Sequence, residues 1–139
     1  MSTPTNDDAS NGQQIITFHI ADNRGSAFQD TTYELTMSVI ENNEPVFSNI
    51  ESLPETIQAD SDINNVTTWT VEWYDSDDDQ IDFSINNKPS WIEYESSSGI
   101  VTANPHSASH TGTYVLEYLL NESNDGCYSI SYTHNLVVE

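Results

Sequence analysis

Apolar and polar residues alternate with a period of two over most of this chain, and the three-to-four spacing of an amphipathic helix is nearly absent. Successive side chains of an extended strand point to opposite faces, so such alternation calls for strands with one buried and one wet face. Ile16, Phe18 and Ile20 alternate with Thr17 and His19. After the polar turn Asn23-Arg24-Gly25-Ser26, the residues Tyr33, Leu35, Met37 and Val39 repeat the pattern, and the two runs read as a hairpin. Further strands are expected at Val46-Phe47, across Trp69, Val71 and Trp73, and across Ile81, Phe83 and Ile85. Residues 91 to 94 and 100 to 103 add two more, and Tyr114/Leu116/Tyr118/Leu120 with Ile130/Tyr132/Leu136/Val138 complete the set. Turn signals at Asn87-Lys88-Pro89, Ser98-Gly99, Asn104-Pro105, Thr111-Gly112 and Asp125-Gly126 separate them at short intervals. This rhythm predicts an all-β, immunoglobulin-like β-sandwich.

The distribution of strands divides the chain. Residues 46–139 hold roughly seven strands, enough for a whole sandwich. Residues 13–41 hold only the hairpin, and an isolated hairpin is marginal in water, so it needs a partner. Residues 1–12 read as a flexible lead-in, and residues 42–45, ending in a proline that cannot continue a ladder, read as a linker. With 35% apolar residues, three Trp and seven Tyr among 139, the chain can build a core. Its 23 acidic and 2 basic side chains give a net charge of -21, which excludes nucleic acid as a partner and disfavours an anionic membrane surface. No run of 18 apolar residues and no charged-then-apolar leader is present, so no membrane insertion is expected in this segment. The single cysteine, Cys127, rules out an internal disulfide framework and reads as a small hydrophobe at the start of a strand, with an intermolecular disulfide as the alternative.

The stretch Asp75-Ser76-Asp77-Asp78-Asp79 crowds four carboxylates into five residues between two alternating segments. In extended chain Asp75, Asp77 and Asp79 project to one side. With so few basic side chains available, the expected partner is a hard cation, Ca²⁺. His106 and His110 have zinc-like spacing only on a helix, and Pro105 with Thr111-Gly112 places them in a loop, so no zinc site is expected. His19 and His134 read as ordinary surface or edge residues, and Trp69, Trp73, Trp91, Tyr114 and Tyr118 as core packing. No glycine-framed serine, Cys/His pair or phosphate loop is found, so the chain is not expected to be an enzyme. Asn65-Val66-Thr67 and Asn121-Glu122-Ser123 make Asn65 and Asn121 candidate glycosylation sites.

The run from Asp75 to Ile85, followed by Lys88-Pro89-Ser90-Trp91-Ile92, Ser98-Gly99-Ile100-Val101, Asn104-Pro105 and Thr111-Gly112-Thr113-Tyr114, resembles the cadherin-like domain of dystroglycan type over about 95 residues. Residues 20–47 are similar to the last two strands of a preceding domain of the same kind with its linker, and the turns around Asp22 and Glu122 sit roughly one repeat apart. The resemblance implies calcium held where successive domains meet, with Asp22, Asn43, Glu44, Asp75, Asp77 and Asp79 as ligands. Asp78 replaces the glycine usual in that loop, and Asn121 or Glu122 stands where a second Asp22 would be. The expected function is that of an extracellular or cell-surface structural or adhesive repeat module, stiffened by calcium, whose partners are adjacent cadherin-like domains or neighbouring copies. Two alternatives are a self-assembling filament subunit joined through strand addition by the hairpin, possible as a homo-polymer, and a glycan- or protein-binding module.

Overall fold

The computed structural model describes residues 13–21, 30–123 and 128–139, and among them it is all-β, with two short 3-10 turns and no α-helix. The chain divides into two compact units between Asn42 and Asn43. The cut falls inside the expected linker, because the segment after it is already bonded into the second unit: Phe47 pairs with Trp73, and Asn43 bonds to Asp77.

The first unit is the expected hairpin. Strands β1 (Gln13–Ala21) and β2 (Asp30–Ser38) pair antiparallel over nine residues, from Gln13 opposite Ser38 to Ala21 opposite Asp30. In this register Ile16, Phe18 and Ile20 share one face with Tyr33, Leu35 and Met37. All six are exposed.

The second unit is a β-sandwich. Its strands are β3 (Val46–Phe47), β4 (Thr56–Ile57), β5 (Thr67–Thr70), β6 (Trp73–Tyr74), β7 (Ile81–Asn86), β8 (Ile92–Tyr94), β9 (Ile100–Ala103), β10 (Gly112–Glu122) and β11 (Ser129–Val138). One sheet has the order β4-β11-β10-β7, a second β5-β9-β8, and β3 pairs with β6 alone. The inner faces meet in a core of Val71, Phe83, Ile85, Ile92, Val101, Ala103, Leu116, Tyr118, Leu120, Leu136 and neighbours. Each such side chain withdrawn from water contributes roughly 1.5–3 kcal/mol, so this layer carries the unit. Phe83 is its aromatic hub: it stacks on Trp73 at 5.4 Å and meets Tyr94 at 5.7 Å and Tyr118 at 5.8 Å between ring centroids.

Two expectations need correction, and one strand adds to them. The segment from Trp69 to Trp73 is not one strand but two, β5 in the three-stranded sheet and β6 against β3. The Asn49 side chain sits at the break, donating to the Thr70 carbonyl at 2.8 Å and accepting from the Glu72 N–H at 2.8 Å, which satisfies the backbone where the chain changes partners. Strand β4 was not foreseen, since Thr56-Ile57 is too short to show a period. It joins β11 in parallel at Val137 and Val138. Finally, His134 is buried rather than at the surface.

Gly99 shows how the covering sheet is held. Its φ is +69°, and a Cβ there would lie 2.1 Å from the Val71 carbonyl oxygen, while its own carbonyl accepts from the Val71 N–H at 2.9 Å. Only glycine fits that turn.

Candidate metal centre

The acidic loop lies between β6 and β7 and is not extended. Asp75 Oδ1 accepts from the N–H groups of Asp77 (2.8 Å) and Asp79 (3.2 Å), folding the loop back over its first carboxylate. Asp78 takes a left-handed conformation with φ of 60°, a backbone shape that glycine adopts most readily. In this fold Asp75 and Asp79 face one another, and Asp77 does not join them. Its carboxylate instead accepts from the Asn43 backbone N–H at 2.5 Å and from Asn43 Nδ2 at 3.0 and 3.1 Å, tying the linker residue to the loop.

The third member of the cluster is Glu122. Asp75, Asp79 and Glu122 each offer a carboxylate oxygen, and these three atoms lie within 4.8 Å of one another. Pairing of β10 with β7 brings them together: Glu122 stands opposite Ile81, the first residue of β7, and both the Ser123 N–H and hydroxyl donate to the Gln80 carbonyl at 2.9 and 2.8 Å. Glu122 continues the inward face Tyr114, Leu116, Tyr118, Leu120, so it is an acid standing in phase with a buried apolar stripe. That phase is visible in the sequence and is the signal that would have found it.

Burial makes the cluster more than a solvated acidic surface. Asp75 is 8% exposed and Glu122 5%. Asp75 Oδ2 is buried without a hydrogen-bond partner, a costly state for a carboxylate oxygen unless a cation or water answers it. No basic side chain does so among the described residues: Lys88 is committed to the Ile92 carbonyl at 2.7 Å and lies over the Tyr94 ring, and Arg24 falls outside them. A cleft lined by Trp73, Tyr74, Asp75, Asp78, Asp79 and Ile81 connects the site to solvent. Three carboxylates at this spacing fit a hard cation that takes oxygen ligands at about 2.3–2.6 Å, with remaining positions open to water or a neighbouring group.

The other singled-out residues are placed as follows. Asp22 and Cys127 lie outside the described residues. Glu44 is exposed in the segment before β3. Asn65 is exposed in a loop and donates to Asp60 Oδ2 at 2.7 Å, one of the bonds that holds the Asp60 carboxyl below the usual range, after that from the Asp62 N–H. Asn121 is half-buried in β10 and accepts from the Ser129 hydroxyl at 2.6 Å. The His106 and His110 rings meet edge to face at 5.0 Å, but His110 is stacked on Trp91 and His106 bonds the Asn104 carbonyl. They do not form a cluster with a third metal-ligating residue among those described.

His134 sits in a second polar group inside the sandwich. Its Nε2 is 3.0 Å from the Pro54 carbonyl, which can only accept, so Nδ1 accepts from the Tyr118 hydroxyl at 2.7 Å. Trp69 Nε1 donates to the same hydroxyl at 3.3 Å. Desolvation pushes the Tyr118 hydroxyl up to about 12 and holds the His134 imidazole below its ordinary value, so both remain neutral.

No protein-family profile and no curated protein matches the chain. Solved structures do. Human protocadherin-24 EC1-2 matches with a TM-score of 0.54 at 13% identity, over 70% of this chain and 45% of that one. Drosophila N-cadherin EC1-3 matches with a TM-score of 0.53 at 14% identity, over 81% and 41%. A Bacteroides fragilis chain provisionally described as an alpha-galactosidase matches with a TM-score of 0.50 at 15% identity, over 70% and 18%. The chain thus spans less than half the length of each. At such identities the likeness is one of fold, and the fold is a cadherin-like β-sandwich.

Proposed function

We propose that the sandwich is a non-catalytic structural or adhesive module of an extracellular or cell-surface protein, and that Asp75, Asp79 and Glu122 hold Ca²⁺ at one end of it. The observation that carries this reading is the buried, unanswered Asp75 Oδ2 within reach of two further carboxylates, in a chain with almost no basic side chains. Asp77 and Asn43 couple the loop to the linker, so an ion bound there would stiffen the segment that leads into the module. The dystroglycan-type order of acidic loop, Pro-Ser-Trp element and Gly-Thr-Tyr strand supports the same reading, as do the cadherin chains among the fold neighbours. Adjacent domains of this kind are then the natural partners. Repetition supports this as well: Asp22 stands in the sequence 100 residues before Glu122, which assigns it the place of Glu122 in another repeat.

Thermal unfolding with and without calcium tests the proposal. Extracellular calcium modules bind with Kd of about 10⁻⁴–10⁻³ M, so a few millimolar calcium stabilises by about 1 kcal/mol. For a unit of this size that raises Tm by about 4–8 °C. Glu122→Gln and Asp75→Asn should each abolish the rise while leaving the calcium-free protein folded. An unchanged wild-type melting curve on adding calcium would sink the proposal.

A further inference from the structure

Strand β11 stands at the edge of its sheet for most of its length. Its neighbour on the side away from β10 is β4, which pairs only with Val137 and Val138. The Val137 N–H donates to the Glu55 carbonyl at 2.8 Å and the Glu139 N–H to the Ile57 carbonyl at 3.1 Å, so odd-numbered residues turn their backbone groups away from β10. By the same period, Ser131, Thr133 and Asn135 point theirs to a side where no strand lies among the described residues. The chain that leads into β4 does not supply one. Ser52 and Leu53 give their N–H groups to the carbonyls of Asn49 and Ile50 in a 3-10 turn, Pro54 has no N–H, and the Pro54 carbonyl is held by His134 Nε2 at 3.0 Å. Between that segment and the edge lies a cleft of about 380 Å³, lined from the segment by Glu51, Leu53 and Glu55 and from β11 by Tyr132, Thr133 and Asn135.

We infer that this edge takes up a basic, extended peptide segment of another polypeptide as an added strand. Exposed sheet edges are ordinarily guarded by charged side chains or proline, because they pair with any strand that reaches them. Ser129–Val138 holds no carboxylate, lysine, arginine or proline in a chain with 23 acids, so its edge is left fit for pairing. The charge stands across the cleft instead: Glu51 and Glu55 are exposed there, and no Lys or Arg lines it. Electrostatic complementarity therefore selects the occupant. A segment in which lysine or arginine alternates with apolar residues bonds its backbone to Ser131, Thr133 and Asn135, and turns its cations to one face, toward the two glutamates. The open stretch admits about five residues at ~3.3 Å each. A second copy of this chain is a poor occupant, since it carries a net charge of -21 and only 2 basic side chains.

Titration of the ¹⁵N-labelled full chain with the peptide Lys-Val-Lys-Val-Lys-Val, followed by NMR amide exchange in the presence of chelator, tests this apart from any role of calcium. Saturable binding is expected, with the amides of Ser131, Thr133 and Asn135 exchanging fast in the free protein and protected in the complex. Lys-Pro-Lys-Pro-Lys-Pro carries the same charge but cannot continue a ladder, and it should leave those amides unprotected. Glu51→Gln combined with Glu55→Gln should weaken binding roughly fivefold. Asp82→Asn combined with Glu93→Gln removes the same charge from two exposed positions on other strands and should change it by less than about twofold. Thr133→Pro deletes an outward N–H without removing a bond to β10, and should weaken binding by at least about tenfold. Absence of binding, equal protection by the proline peptide, edge amides that stay unprotected at saturation or are already slow in the free protein, or equal losses in the two charge variants would each overturn the inference.

Discussion

Hairpins β1/β2 and β10/β11 share a register pair for pair, yet they meet opposite surroundings. Residues 13–20 and 31–38 are all exposed, whereas Leu116, Tyr118, Leu120 and Leu136 are wholly buried. The difference does not lie in the alternation, which is equally clean in both. It lies in what stands opposite: β7 extends the second hairpin's sheet, and Val71, Ile92, Val101 and Ala103 cover its inner face. A period of two states that a face is to be buried and leaves open what will bury it.

The largest expected effect breaks the comparison directly. Tyr118→Ala should cost about 3–5 kcal/mol in urea unfolding, because it opens the core and removes the partner of His134. Its counterpart Phe18→Ala should cost less than about 0.5 kcal/mol in dilute protein. Equal losses would mean that the first hairpin is packed after all.

Gly99→Ala attacks the cover rather than the hairpin. A Cβ cannot be placed against the Val71 carbonyl without moving backbone, so a loss of at least about 2 kcal/mol in the same assay is expected. A neutral outcome would show that the three-stranded sheet can shift without exposing β10.

His134→Leu installs in the second ladder the residue that the first has at the matching position, Leu35. It strands the Tyr118 hydroxyl and should cost about 1–3 kcal/mol near neutral pH. It also removes a pH dependence. The folded imidazole binds its proton less readily than the unfolded one, so its stabilisation is complete above the unfolded value of about 6.5 and is lost as pH falls through the lower folded value. Wild-type stability should therefore decline from about pH 7 to about pH 5 more steeply than that of the variant, as read by urea midpoints. Parallel slopes would refute this account of His134.

The smallest effect concerns the loop that abuts the end of the second ladder. Asp78→Gly relieves a left-handed aspartate and removes one charge from an acidic loop, against the greater entropy of glycine in the unfolded chain. A net gain of about 0.5 kcal/mol is expected from calcium-free thermal unfolding.

Much of the candidate site was legible locally. The Asp75 to Asp79 stretch announces itself by charge density, and Asn43 by its place in the pattern that the sequence resembles. Asp77 was expected beside Asp75 and Asp79 because extended chain puts alternate residues together, but the two N–H groups that bond Asp75 Oδ1 curl the loop, and Asp77 turns to Asn43. Glu122 stands in the sequence reading only as a counterpart of Asp22; its phase with the apolar stripe of β10 marks it as inward-facing, but the carboxylates that it meets lie in the loop that leads into another strand.

From sequence alone come the all-β class, the two hairpins, the inward and outward faces of the longer strands, and the position of the acidic loop. These are properties of a few neighbouring residues, set by the two-residue period of the strand and by turn chemistry. The tertiary structure alone decided that residues 67–74 serve two sheets, that His134 is enclosed, that Glu122 completes a cluster with Asp75 and Asp79, and that one of two matching hairpins is covered. Each of those depends on which strand lies beside or across from which. Such pairings as Glu122 with Ile81 join residues far apart in the chain, where no local pattern records the partner.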